Sequence, residues 1–228
     1  VVGAARESAG WAILMWDVGE FFATNRRFTP EEGRLFLDAM AGLHAEFFED
    51  EGPTAPECGL SELRHVYEMF APRTALRKDA GSGDILKRIL EGWETVRSVA
   101  PKDVIETVEP LLEDPTPLVR ALQNYPGTLI HGDFRHSNLA VLPPTATAPK
   151  RVALLDWQLA TFAPPGVELG RYIGANSPFL PESKEELLEY YRAALQKRLG
   201  PRFSDEWWRP QLELGLLGGF VQDGWAIA

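Results

Sequence analysis

The stretch LIHGDFRHSNLAVL, residues 129–142, sets His131, Asp133 and Asn138 in a short polar segment between two apolar runs. Further on, RVALLDW carries Asp156 at the end of another apolar run. Two carboxylates and a carboxamide are all oxygen donors. Such a set suits a hard cation, Mg²⁺ above all, which keeps several waters and asks the protein for only a few oxygens. Zinc would call for His and Cys ligands instead. With Asn138 and Asp156 on the metal, Asp133 is left free to accept a proton.

This chemistry depends on bringing distant residues together. NLAVL and RVALLD, joined by the loop PPTATAPK, read as a β-hairpin. In an antiparallel pair the start of the first strand and the end of the second share one edge. Asn138 and Asp156 therefore meet there, beside the loop that carries Asp133. TLI before the loop reads as a further short strand.

The rest of the chain is mainly helical. VVGAA and GWAILMWDV form two opening strands around the polar turn RESAG. In FTPEEGRLFLDAMAGLHAEFFED, Thr29 is placed to N-cap a helix, Pro30 takes its first position and Glu32 closes a capping box. Leu35, Phe36, Ala39, Met40, Leu43 and Phe47 then recur at helical spacing. Residues 50–60 read as a loop, and 61–125 as helical segments broken by Pro and Gly. DAGSGD at 79–84 is a plain loop between two of them. After FAPPG the chain returns to helix, with a second capping box at Ser183 and Glu186 and an apolar face through Leu187, Leu188, Tyr191 and Leu195.

Composition bounds the reading from the other side. The 228 residues suffice for a substantial core, and 45% hydrophobic with 25% charged residues is ordinary for a globular protein. A net charge of −10 argues against a nucleic-acid binder and is compatible with cationic ligands. No run approaches the roughly 18 apolar residues of a membrane span. The single cysteine, Cys58, has no intrachain partner, which favours a reducing compartment, and the N-terminus lacks a signal-peptide pattern. The expectation is a soluble cytoplasmic protein, without nucleic acid or membrane.

Asn138 follows Asp133 at the offset found in the kinase catalytic loop H-R-D-x-x-x-x-N, where an Asp base works beside metal-holding Asn and Asp. HGDFRHSNL followed by VALLDWQLA resembles the catalytic and metal-binding segments of the aminoglycoside phosphotransferase and choline kinase-like family, a small-molecule branch of the protein-kinase-like fold. The resemblance implies that Asp133 is the catalytic base, that Asn138 and Asp156 ligate Mg²⁺, and that His131 braces the loop. It sets Asp156, Trp157 and Gln158 where a protein kinase has Asp-Phe-Gly. ILMWDV resembles the hinge strand, whose backbone at Met15, Trp16 and Asp17 would meet the adenine, with ATP or GTP as the phosphoryl donor. AMAGLHAEFF is similar to the family's first large-lobe helix. In GVELGRYIG, Glu168 stands where these proteins usually carry Asp, in a supporting role.

The implied fold is α+β and protein-kinase-like, a helix-rich large lobe with a small central β-hairpin, preceded by the last strands of a truncated or absent small lobe. Residues 1–18 would be the end of the small lobe and the hinge strand, and 19–228 the helical large lobe. The implied activity is transfer of the γ-phosphoryl group to the hydroxyl of a small molecule, with cationic acceptors among the candidates. Kinase-like folds clamp the phosphates with a glycine-containing loop and a strand lysine. Those elements belong before the hinge, so a binding module without catalysis is the alternative. A metal-dependent hydrolase using the same carboxylates is a third reading. A zinc site from His131, Asp133 and His136 lacks a fourth ligand. Trp207, Trp208, Phe203 and Trp225 are expected in the core rather than lining an acceptor pocket. Glu182, Glu185, Glu186 and Glu189 are expected on a solvated face.

Overall fold

The computed structural model describes residues 2–7, 10–23, 26–77 and 84–227. The chain opens with β1 (Gly3–Glu7) and β2 (Gly10–Leu14), antiparallel with Gly3 opposite Leu14 and Glu7 opposite Gly10. The tip of this hairpin lies outside the described residues. The second strand ends at Leu14, earlier than the apolar run suggested, and Met15 and Trp16 leave the ladder with their side chains exposed.

α1 (Pro30–Glu46) starts as its sequence dictates. Thr29 Oγ1 accepts from the Glu32 amide at 3.2 Å, and the Glu32 carboxylate accepts from the Thr29 amide at 2.8 Å. Each partner satisfies a donor that a helix start leaves open. α2 (Leu63–Glu68), α3 (Pro72–Arg77), α4 (Asp84–Val99), α5 (Lys102–Glu113) and α6 (Thr116–Leu122) follow. The DAGSGD loop lies outside the described residues except for Asp84, which opens α4.

β3 (Thr128–Ile130) leads into the polar segment, and β4 (Leu139–Leu142) and β5 (Arg151–Leu154) form the expected hairpin, Leu139 opposite Leu154. A sixth strand, β6 (Thr161–Ala163), pairs antiparallel with β3 and was not legible in the sequence. α7 (Pro165–Ala175), α8 (Lys184–Leu199) and α9 (Asp205–Ile227) complete the chain. Ser183 and Glu186 cap α8 reciprocally, as Thr29 and Glu32 cap α1. The result is the expected helix-rich α+β fold with small antiparallel sheets. Among the described residues, no helix is long and apolar enough to cross a membrane.

Two apolar cores flank the polar segment. One joins Phe36, Leu37 and Met40 of α1 to Leu187, Tyr191 and Leu195 of α8, and it includes Phe134 and Leu139. The other joins Ile89 and Trp93 of α4, Leu112 of α5 and Leu122 of α6 to Val221 of α9, and it includes Ile130. Residues 131–138 thus run along the seam between two packed bodies. Trp208 is buried in the first core, with Trp207 and Phe203 packed against it, and Trp225 packs on the second. Glu182 pairs with Arg34 and Glu189 with Arg192, both at the surface.

α7 and α9 meet backbone to backbone. A Cβ added at Gly170 would overlap the carbonyl of Gly215, and one at Gly215 would overlap the carbonyl of Gly166. Small residues alone permit this approach, which places the far end of α9 against the loop after β3. Gly170→Ala is expected to destabilise the protein by about 1–3 kcal/mol, the range for forcing extra volume into a packed site. Gly42→Ala in α1 meets only one atom at 4.0 Å. It is expected to be neutral or stabilising, since Ala favours a helix over Gly. Urea midpoints of both variants check the contrast, and equal behaviour would refute it.

Candidate active site

The loop after β3 is suspended from α7. The Glu168 carboxylate accepts from the His131 amide at 2.9 Å and from the Gly132 amide at 2.7 Å. Gly132 has φ 79, and a Cβ there would overlap the carbonyl of Leu159, so glycine is required. Glu168 is fully buried and takes a third bond from His44 Nε2 at 3.1 Å. His44 in turn meets the Tyr191 hydroxyl through Nδ1 at 2.5 Å. Burial would raise the Glu168 carboxyl, but the His44 hydrogen bond, the His44 and His131 rings and the loop amide hold it below the usual glutamate value.

His131 is buried with both ring nitrogens engaged. Nδ1 accepts from the Asp133 amide at 3.2 Å, so Nε2 carries the hydrogen and donates to the carbonyl of Leu155 at 2.9 Å. That bond ties the loop to the end of the hairpin. It also removes His131 from any zinc site. Trp157 stands edge-on to the ring, 4.7 Å between centroids.

The hairpin delivers the expected edge. The Leu155 amide donates to the carbonyl of Asn138 at 3.1 Å, so the residue before β4 and the residues after β5 face each other. Asp156 follows in a left-handed conformation, φ 65 and ψ 66, with an exposed side chain. Its Oδ2 accepts from the side-chain Nε2 of Gln158 at 3.4 Å.

Asp133 lies buried at the centre. Oδ1 takes Arg171 Nη2 at 2.6 Å, while Oδ2 takes Asn138 Nδ2 at 2.8 Å and faces Arg135 Nε at 3.2 Å. Burial pushes the carboxyl up, but Arg171 and Arg135, with the hydrogen bonds from Arg171 and Asn138, hold it below the usual aspartate value. It is therefore ionised at neutral pH. The two oxygens differ in their partners: Oδ1 meets Arg171, 2% exposed, and Oδ2 meets Asn138 and Arg135, whose side chain is 42% exposed.

Asn138 spends its amide hydrogens on Asp133, at Oδ2 and at the backbone carbonyl 3.0 Å away. That leaves the other end of the amide, Oδ1, for a cation. Asn138 Oδ1 and the Asp156 carboxylate, on neighbouring strand ends, are oxygen donors of the kind Mg²⁺ takes beside retained waters and phosphate. Among the described residues no three His, Cys, Asp or Glu side chains cluster into a closed metal cage.

Residues 15–17 do not bring side chains to this centre. Asp17 Oδ1 accepts from the Gly19 amide at 2.9 Å, and Met15 and Trp16 are exposed, Trp16 by 78%. The chain after them is fastened to the hairpin by backbone: Phe22 bridges Ala140, and the Ala23 amide donates to the carbonyl of Leu139 at 3.0 Å. The segment that follows residues 15–17 is thus tied to the strand that begins beside Asn138.

A family model described as the phosphotransferase enzyme family matches residues 6–207. The chain belongs to the phosphotransferase enzyme family. The mouse protein acyl-CoA dehydrogenase family member 10 is 29% identical over 124 residues, covering 52% of this chain and 11% of that protein. A solved structure, the Plasmodium vivax ethanolamine kinase Pv091845, is 14% identical with a TM-score of 0.47, covering 87% of this chain and 52% of that one. The phosphotransferase chain described here thus spans about a tenth of the curated relative and about half of the solved structure.

Several residues around Asp133 are not legible in the sequence. Arg171, Gln222 and Asp223 are not singled out by residue type or spacing. For Asp223 a signal existed: an acid in the apolar run GLLGGFVQDGWAI of α9, where charge is rarely buried without a partner.

Proposed function

We propose that this protein moves the γ-phosphoryl group of ATP or GTP to a hydroxyl of a small molecule, using Mg²⁺. The observation that carries the reading is the buried Asp133, held by Asn138 at the hairpin edge that Asp156 shares. In this reading residues 1–18 are the end of a small lobe and the hinge, and 19–228 form the large lobe of a cytoplasmic kinase-like enzyme. The backbone at Met15, Trp16 and Asp17 meets the nucleotide base.

Asp133 Oδ2 receives the acceptor hydroxyl. Its oxygen forms the new bond to the γ-phosphorus as the bond to the nucleoside diphosphate breaks, and its proton passes to Oδ2. A carboxylate held below its usual pKa is a weak base, so it orients the hydroxyl first and takes the proton late. Mg²⁺ held by Asn138 and Asp156 would offset the negative charge of the nucleotide phosphates. The net charge of −10 is compatible with a cationic acceptor.

Calorimetric titration of ATP, with and without Mg²⁺, tests the reading. Magnesium-dependent binding is expected, and Asp156→Ala should weaken it by about tenfold or more, or 1.4 kcal/mol. Metal-free ATP should bind both proteins alike. Equal magnesium dependence in the two proteins would remove Asp156 from the metal. No binding to the unsubstituted full-length protein would sink the nucleotide reading altogether.

A further inference from the structure

Arg171 lies on α7 between two buried carboxylates from distant parts of the chain. Its Nη2 donates to Asp133 Oδ1 at 2.6 Å, and its Nη1 forms an ion pair with Asp223 of α9. The Arg171 side chain is 2% exposed and that of Asp223 4%. The Phe70 ring lies 5.5 Å from the guanidinium carbon. The residue beside Asp223 also reaches the loop, Gln222 Nε2 donating to the carbonyl of Gly132 at 3.3 Å. The end of α9 thus holds the loop twice, once directly and once through Arg171.

Stability alone is a poor reason for such an arrangement. Removing three charged groups from water costs about as much as their attraction returns, and apolar side chains of similar volume often do better. What charge adds here is direction. A guanidinium is a flat fork with fixed donor angles, so a carboxylate on one edge sets where the other edge points. The spacing is set by backbone, because Gly166 and Gly170 of α7 press against Gly215 and Gly219 of α9.

We propose that Arg171 and Asp223 are positioning residues for Asp133. Asp223 orients the guanidinium, the guanidinium holds Oδ1 inward, and Oδ2 is thereby left facing Asn138, Arg135 and the acceptor. The kinetic consequence rests on the phosphotransfer reading, whereas the geometric one does not.

The test uses the full-length protein with Asp223→Asn, which keeps shape and loses charge, and Arg171→Lys, which keeps charge and loses the fork. The first readout is NMR. In the unsubstituted protein the Arg171 Nη protons should appear as separate, slowly exchanging signals. An averaged, freely rotating guanidinium would overturn the proposal without any variant. The Asp133 carboxyl carbon should shift in Asp223→Asn while amides remote from the loop stay in place. An unmoved carbon would overturn it.

The second readout is ADP release from Mg²⁺·ATP with water as acceptor. Asp223→Asn and Arg171→Lys should each lower kcat by about tenfold or more, as a displaced catalytic group does, with KM for ATP within about twofold. Asp133→Asn/Asp223→Asn should be no slower than Asp133→Asn alone. Additive losses, or wild-type kcat in folded Asp223→Asn, would overturn the positioning role. If the unsubstituted protein neither binds nor hydrolyses ATP, the phosphotransfer reading fails, and the NMR signals alone decide whether the line holds Asp133.

Discussion

Asp133→Asn is expected to lower kcat by about 10²–10⁴-fold, the usual contribution of a positioned acid or base. Affinity for Mg²⁺·ATP should stay within about twofold of the unsubstituted protein, because in the proposed reading Asn138 and Asp156 remain to hold the metal. The substitution keeps shape and removes the charge that accepts the proton. Stripping one partner from a buried ion pair ordinarily costs about 3–5 kcal/mol. Here Arg171 keeps Asp223, and Arg135 is exposed enough to turn to water. The folded state should therefore survive, and the lost rate can be read as lost chemistry. Asp133→Ala should behave alike in rate and lose more stability, since it also removes the acceptor for Arg171 and Asn138. Steady-state kinetics beside calorimetry check both halves. Full turnover by folded Asp133→Asn would mean that another group takes the proton.

The parts of this fold legible in its sequence are those whose cause is local. Thr29 with Glu32 and Ser183 with Glu186 announce α1 and α8 because a capping box is closed by residues three apart. The β4–β5 hairpin is equally local, and from it followed the shared edge of Asn138 and Asp156. β6 was missed because Thr161–Ala163 is too short to show a period and earns its strand state only by pairing with β3 across the chain. Glu168 entered the sequence reading by resemblance, as a stand-in for Asp with a supporting role. Its partners His44 and Tyr191 did not, since their meeting depends on how α1, α7 and α8 pack. Arg171 and Asp223 show the same limit. Arg171 looks like one more charged helix residue, and Asp223, though marked by its apolar run, has no visible partner until the glycines of α7 and α9 bring the two helices into backbone contact.

Glu168→Gln is expected to destabilise the protein by about 3 kcal/mol or more, the scale for breaking a buried charged network. The carboxylate accepts from two loop amides and from His44, and it has no access to water. An amide of the same shape turns one of those oxygens into a donor facing a donor. Glu168→Asp keeps charge and acceptors but is one methylene shorter, so it should weaken the contacts and cost about 1–2 kcal/mol. The order, Gln worse than Asp, separates charge from reach. The pH dependence has a definite sign. Because the folded-state carboxyl titrates below its ordinary value, its contribution is complete above that value and fades as pH falls toward the depressed one. Glu168→Gln should accordingly lose less stability than the unsubstituted protein over that acid range. Urea midpoints across pH give the energies, and amide exchange at His131 and Gly132 shows where the loop has loosened. A Gln variant as stable as the original would mean that the loop is held by Arg171, Gln222 and His131 without Glu168.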